Sequence, residues 1–267
     1  FSGSEGRKAA HSMTARTTRV GQTVLRAKRG RPRGTGTQTV YESLRNQILM
    51  LSLAPGDHLD ESRIEAEFNV SRTPIREALI RLQSDGLVRF SPNRGHYVST
   101  IDFAELPQAF ESLDMLQAAV LKLAALRRTE DDLRLMEHEN NSYRDAARAG
   151  DHTAMTEANH RFHMACGAAS RNRFIEDAYE SVLNFNLRIT RLAFSTDGQQ
   201  TSETKAYYDR IYAEHNEMID FVRAQDPEPL GAVSRKHVQL FHDKIAAFVN
   251  SWVDLDAKPA DFSLPQK

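Results

Sequence analysis

The chain has 267 residues, 40% of them apolar, and a formal net charge of −1. That apolar share is enough for one large or two ordinary cores, and no apolar run approaches the roughly 18 residues of a membrane span. The single cysteine, Cys166, excludes an intrachain disulfide, fits a reducing cytoplasm and reads as a small buried apolar residue. Charge is uneven: residues 1–38 hold nine Lys and Arg against Glu5, residues 39–100 sum to −1, and residues 101–267 sum to −8.

Residues 1–37 are rich in Gly, Ser, Thr, Arg and Lys and poor in large apolar side chains, which predicts a disordered basic tail. The start lacks the apolar core of a secretory signal, and the part ahead of Met13 reads as an expression scar. Within the tail, "KRGRPR" (28–33) resembles an AT-hook. Arg29 and Arg31 would lie in a narrow A/T minor groove, Gly30 allowing close approach and Pro32 keeping the strand extended. The alternative is a generic basic tail that raises non-specific affinity.

Residues 38–100 predict a small domain. A helix near 38–51 carries Val40, Leu44, Ile48 and Leu51 on one stripe and is broken by "APGD" (54–57). A short helix near 61–68 buries Ile64 and Phe68, and Asn69 suits a tight turn. A third helix over about 71–84 has Ile75, Leu79 and Leu82 inward and Gly86 just past its end. "LVRF" and "HYVS" then read as strands around "SPNRG". Two short helices, a tight turn and a hairpin make a winged helix-turn-helix, whose second helix enters the major groove by its N-terminal end. Arg72 and Arg76, one turn apart, share that face. Their planar forks suit guanine O6 and N7 or phosphates. Ser71 and Thr73 can cap the helix or bond phosphate oxygens, and Arg94, Gly95 and His96 fall at the hairpin tip. The plainer reading is a pair of solvated surface arginines.

Residues 101–253 carry no comparable strand signal and read as six helices, about 103–127, 130–149, 151–169, 172–195, 202–225 and 228–250. Thr129 with Asp132 resembles a capping box, and Asp226-Pro227 is a good start for the last helix. Residues 254–267 read as a frayed tail. The fold class is therefore mainly α: a winged helix-turn-helix followed by an all-α helical bundle. Asn159 and His163 are i and i+4 in "NHRFH", His215 lies in "AEHNEM", and His237 lies in "RKHV". Three imidazoles and one oxygen suit a divalent ion such as zinc or nickel, although histidines on helices are ordinarily surface or core residues. His160 is off the shared face and outside this set.

The stretch "LAPGDHLDESRIEAEFNVSRTPIREALIRLQSDGLVRFSPNRGHYV" resembles the DNA-binding domain of GntR-family bacterial transcription regulators, with SRTPIREAL and NRG as its most specific elements. The resemblance implies DNA contacts at Ser71, Arg72, Thr73 and Arg76 and a wing at Arg94 and Gly95. Glu65 departs from it, since the family usually has a small residue there. The series "NHRFH…EHNEM…RKHV" resembles the FCD domain of the FadR subfamily, which implies metal ligands at Asn159, His163, His215 and His237 beneath an effector pocket. Here too there is a departure: the positions where the family commonly has an Arg and a Glu hold Leu113 and Gln117. A carboxylic-acid effector would then need the metal and another arginine, such as Arg188, or else the ligand is less polar; a surface or interface cation is the plainer role for Arg188. Tyr179, Phe185 and Phe194 are candidates for a pocket wall or for core packing.

The reading favoured is a cytoplasmic, homodimeric, ligand-responsive transcription regulator on a pseudo-palindromic DNA operator, with no enzymatic activity and no membrane association. Two other readings compete. A metal-dependent hydrolase would use the His cluster to activate water, yet Glu214 and Glu217 flank His215 without an obvious role. An architectural DNA-binding protein would rely on the basic tail.

Overall fold

A computed structural model of the chain describes residues 35–195 and 201–253. The first helix, α1 (Thr35–Leu49), buries Val40, Leu44 and Ile48 on one stripe. It ends two residues short of the predicted boundary. Leu51, expected on that stripe, sits instead beyond the helix at φ 58 and packs against the Leu106–Ile189 cluster.

Helix α2 (Glu61–Phe68) is capped by Asp60, whose carboxylate accepts from the Ser62 amide at 2.8 Å. It stops at Asn69, which takes a left-handed conformation (φ 48, ψ 51) that Asn tolerates better than most residues. Helix α3 (Arg72–Ser84) follows almost at once and buries Ile75, Ala78, Leu79 and Leu82 against α1 and α2. After Gly86 (φ +72), strands β1 (Val88–Ser91) and β2 (Gly95–Val98) pair antiparallel in the register Val88↔Val98, Phe90↔His96. Val88 and Val98 are buried and close this small core.

A short 3₁₀ turn (Phe103–Glu105), capped by Asp102, leads into α4 (Leu106–Arg127). Helix α5 (Glu130–Ala149) opens with the expected capping box: the Thr129 hydroxyl accepts from the Asp132 amide, and the Asp132 carboxylate accepts from the Thr129 amide. Then come α6 (His152–Ala169), α7 (Arg173–Ser195), α8 (Ser202–Ala224) and α9 (Leu230–Val253). The last begins later than Asp226-Pro227 suggested. A second proline, Pro229, keeps Glu228 out of the helical region, and its carbonyl accepts the first helical amides, from Ala232 and Val233. Helix α4 packs against α6, α7, α8 and α9, and α5 covers α6 and α8. Their shared core includes Val120, Leu121, Met136, Phe162, Met218 and Leu230. Among the described residues no helix is long and apolar enough to cross a membrane.

Helix α7 belongs to both regions. Leu187 is part of the core formed by α1–α3 and the hairpin. Arg45 of α1 pairs with Glu180 at 2.6 Å and donates to Asn184 Oδ1 at 3.1 Å.

Candidate nucleic-acid interface and metal centre

The N-terminal end of α3 is open. Ser71, Arg72, Thr73 and Arg76 are exposed, while Ile75 between them is fully buried. One helix turn thus fastens itself by an aliphatic side chain and presents its polar ones outward. Ser71 is the N-cap by position but makes no capping bond through its side chain. Each arginine rests on a carboxylate of α2 through its Nε: Arg76 on Glu61 at 3.0 Å and Arg72 on Glu65 at 3.5 Å. Glu65, the departure noted in the sequence, therefore faces α3 across the turn. At the hairpin, Arg94 is exposed, with its guanidinium 5.2 Å from the centre of the Tyr97 ring. His96 turns back toward the domain, 3.8 Å from Glu61 and tilted over Phe90. Its burial there lowers the imidazole pKa, with Glu61 opposing. Arg29 and Arg31 lie outside the described residues.

The second site is inside the helical bundle. Ligand atoms of His163 (α6), His215 (α8) and His237 (α9), all buried, lie within 4.8 Å of one another. Each ring is held at Nδ1: His163 by the Tyr179 hydroxyl at 3.2 Å, His215 by Asn140 Oδ1 at 3.0 Å, His237 by Glu214 Oε2 at 3.1 Å. The amide of Asn140 has one orientation, because its Nδ2 faces the Tyr212 carbonyl, which can only accept. Asn140 Oδ1 must then accept from His215 Nδ1–H, and Glu214 must accept from His237 Nδ1–H. Both rings are left with a lone pair on Nε2, the form a metal requires. His215 Nε2 is buried with no partner among the described residues, a costly state for a polar atom that a ligated ion would relieve. Phe162 stacks on the His215 ring at 3.9 Å. Burial, reinforced by the neighbouring imidazoles, pushes the pKa of His163 and His215 well below the usual range. Glu214 is raised by burial, but His237, Lys236 and Arg210 outweigh that and leave it below the ordinary carboxylate value. This donor set fits a divalent ion: three buried imidazoles, each with a hydrogen-bond partner at Nδ1.

Asn159, one turn before His163, lines a cavity of about 70 Å³ next to this cluster, as do His163 and His237. Leu113 and Gln117 of α4 are on its wall, with Asn186, Thr190 and Phe194 of α7. His160 also reaches it; burial lowers its pKa to about 4. His160 Nε2 is 3.2 Å from Asn184 Oδ1, the same oxygen that accepts from Arg45.

Arg188 is elsewhere. The cavity stripe on α7 runs through Leu183, Asn186, Leu187, Thr190 and Phe194, at helical spacing, and position 188 falls off it. Its guanidinium is buried, donates to the Ser99 carbonyl just after β2, and is pushed down to about 10 by desolvation. An effector-binding role is therefore replaced by one of joining the bundle to the hairpin. Of the aromatic candidates, only Phe194 lines the cavity; Tyr179 holds His163, and Phe185 packs with the Leu106–Ile189 cluster. Of the three ring holders, the sequence did not single out Asn140, named Tyr179 only as a pocket-wall or core aromatic, and named Glu214 without a role. Only Glu214 carried a local sign, in its adjacency to His215.

Two family models match the chain. That for bacterial regulatory proteins of the gntR family covers residues 37–98, and that for the FCD domain covers residues 108–240. The HTH-type transcriptional repressor RspR of Escherichia coli (strain K12) is 28% identical over 205 residues, 76% of each chain. The solved structure of E. coli McbR/YncC has a TM-score of 0.67 at 19% identity, over 82% of this chain and 99% of that one. A putative transcriptional regulator GntR from Rhodococcus sp. RHA1 gives 0.60 at 22%, over 80% and 98%. The exposed recognition helix, the wing and the six-helix bundle are the parts these models describe, and the chain belongs to the gntR family of bacterial regulatory proteins, as a DNA-binding transcription regulator with a C-terminal FCD domain.

Proposed function

We propose that the protein is a cytoplasmic, ligand-responsive regulator without enzymatic activity. It binds a pseudo-palindromic operator as a homodimer and responds to a small metabolite seated beside a divalent metal. Residues 38–100 are the DNA-binding domain and residues 101–253 the effector and dimerisation domain. Ser71, Arg72, Thr73 and Arg76 meet the major groove, Arg94 and Gly95 form the wing contact, and the basic tail with Arg29 and Arg31 adds a minor-groove or non-specific term. His96 is a weaker candidate, given its inward side chain. Asn159, His163, His215 and His237 would hold the ion, zinc or nickel by donor type, and the ion would offer an open coordination position to a ligand heteroatom.

The observation that carries ligand response is the double duty of α7. Leu187 lines the cavity and is also part of the DNA-binding core. From His160 in the cavity wall, hydrogen bonds run to Asn184 and from Arg45 of α1 to the same oxygen. A ligand that favours one position of α7 therefore favours one placement of the DNA-binding domain, which is the differential interaction a population shift needs. The hydrolase reading finds less support, because Glu214 is engaged by His237, Arg210 and Lys236 and is not free to act as a base.

The test is selection of binding sites from random duplexes with the full chain, followed by elemental analysis of the same preparation. A two-fold-related consensus with about one equivalent of zinc or nickel is expected. Recovery of unrelated sequences only would refute operator recognition, and a metal-free preparation that cannot be reloaded would refute the metal.

A further inference from the structure

Resting on the reading of α3 as the helix that reads bases, we propose that Glu61 of α2 is a specificity-determining residue: it holds the Arg76 guanidinium by its side edge, so that Arg76 meets a guanine end-on and grips phosphate poorly. Arg76 Nε donates to Glu61 Oε2 at 3.0 Å. The other carboxylate oxygen, Oε1, lies 3.8 Å from Nδ1 of His96 in the hairpin. Glu61 is the more enclosed of the pair, its side chain 24% exposed against 61% for Arg76, so the carboxylate is the fixed partner and the arginine the held one. The backbone that carries it is fastened to the hairpin as well: the Leu59 amide donates to the His96 carbonyl at 2.9 Å, and Asp60 caps α2. One turn on, Glu65 meets Arg72 at 3.5 Å. Glu61 and Glu65 are i and i+4 on α2, Arg72 and Arg76 are i and i+4 on α3, and they pair in reverse order, as two rungs of one ladder. Pairs of exposed charges contribute little to stability, so the fold does not account for two acids at the proposed DNA-facing end of α3.

Their effect follows from the shape of the guanidinium. Its planar fork has two edges with paired N–H groups, Nε with Nη2 at the side and Nη1 with Nη2 at the end. With Nε bonded to Glu61, the end edge remains for a bidentate bond to guanine O6 and N7. The carboxylate also brings negative charge to a surface that meets a polyanion, within a stretch, residues 39–100, that already sums to −1. Binding to random duplex rests on phosphates, and Glu61 opposes it. Binding to a site with the guanine in register draws on the arginine that Glu61 has aimed. Without Glu61 the fork is free to turn to a backbone phosphate.

The experiment measures the affinity of the full chain for its selected operator and for random duplex at several salt concentrations, in the parent, Glu61→Ala, Arg76→Ala and the double variant. Glu61→Ala is expected to bind random duplex more tightly, with a slope of log affinity against log salt steeper by up to about 0.9, one phosphate contact. Its operator-to-random ratio is expected to fall about tenfold, within the range of one bidentate base contact. Glu61→Gln, which keeps an oxygen for Nε and drops the charge, should recover part of that ratio; it preserves the side-chain shape and carries the comparison if Glu61→Ala does not fold. In the Arg76→Ala background, removing Glu61 should change the ratio by less than about twofold, because the two residues act as a unit. A Glu61 that only supports α2 would lower both affinities alike and leave the slope unchanged. The proposal is overturned by that result, by an unchanged ratio in Glu61→Ala, or by an equal fall in ratio with and without Arg76. A parent chain with no gap between operator and random duplex removes base reading by α3 and this inference with it, whereas a gap that survives Glu61→Ala intact removes the role of Glu61 alone.

Discussion

A buried imidazole becomes a metal ligand only when its tautomer is settled, and here a different element settles each one. Asn140 comes from α5, Tyr179 from α7, and Glu214 from α8, the helix that also carries His215. Asn140→Leu is expected to weaken zinc affinity about 10–100-fold by freeing the His215 ring, and His163→Ala to lower bound metal outright. Metal content after dialysis against graded chelator measures both, and unchanged content in His163→Ala would remove the metal site. The same burial sets a pH dependence. His160, His163 and His215 have folded pKa values depressed mainly by desolvation, to about 4 for His160. The folded protein binds fewer protons than the unfolded chain between about 6.5 and about 4, so stability is full above about 6.5 and is lost as pH falls through that window. Chelator-treated protein should therefore melt progressively lower from pH 7 to pH 5; a flat profile would mean these rings are not buried as described. The i, i+4 spacing put Asn159 and His163 on one helix face, the family resemblance added His215 and His237 to the candidate set, and the three histidines do lie together. Their holders were not legible in the sequence, because Asn140 meets His215 across 75 positions of chain, and no local pattern reports such a pairing.

Helices announced themselves by their ends. Asn69 marked the end of α2 by tolerating the left-handed conformation, and the Thr129–Asp132 box marked the start of α5 by side chains bonding their own backbone. The start of α9 was misplaced because two prolines two residues apart in the chain's "DPEP" compete as helix openers, and the second prevails. What no end signal conveyed was the orientation of α7. Arg188 was offered as a ligand-binding cation only to replace the family arginine missing at Leu113, with a surface or interface cation as the plainer role; its rotational position sends it to Ser99 while Asn186 and Thr190 line the cavity. Coupling through this helix gives a prediction at its own scale. Arg45 is partly exposed, so Arg45→Ala should leave the fold intact while cutting the link from Asn184 to α1. Operator affinity of the variant should stay within about threefold of the parent, and the change in that affinity on metal removal should shrink by about 1 kcal/mol, of the order of one charge-assisted hydrogen bond. Fluorescence anisotropy with and without chelator reads both quantities. An undiminished response would place the coupling in the Leu187 packing and the Arg188–Ser99 contact instead.

Over the whole molecule, charge and recognition are supplied by different parts of the chain. Residues 1–38 carry +8, whereas residues 39–100 and 101–267 are net negative. Long-range attraction to a polyanion must come mainly from the tail. The proposed sequence discrimination rests on Arg72 and Arg76 of α3, whose Nε atoms pair with Glu65 and Glu61 and whose side chains are largely exposed. These two contributions respond differently to salt. A phosphate contact adds about −0.9 to the slope of log affinity against log salt, while a bidentate base contact contributes about 1–3 kcal/mol to discrimination. Removing residues 1–34 should therefore flatten the salt dependence on random duplex and operator alike, with little change in their ratio. Arg76→Ala should do the opposite, narrowing the gap between operator and random DNA by about 1–3 kcal/mol with a change in slope of no more than about one contact. Titrations of both proteins at three or more salt concentrations separate the cases. If Arg76→Ala lowers both affinities equally, Arg76 grips a phosphate and does not read a base; if removing the tail abolishes discrimination, Arg29 and Arg31 read sequence, and the minor-groove reading of "RGRP" is the correct one.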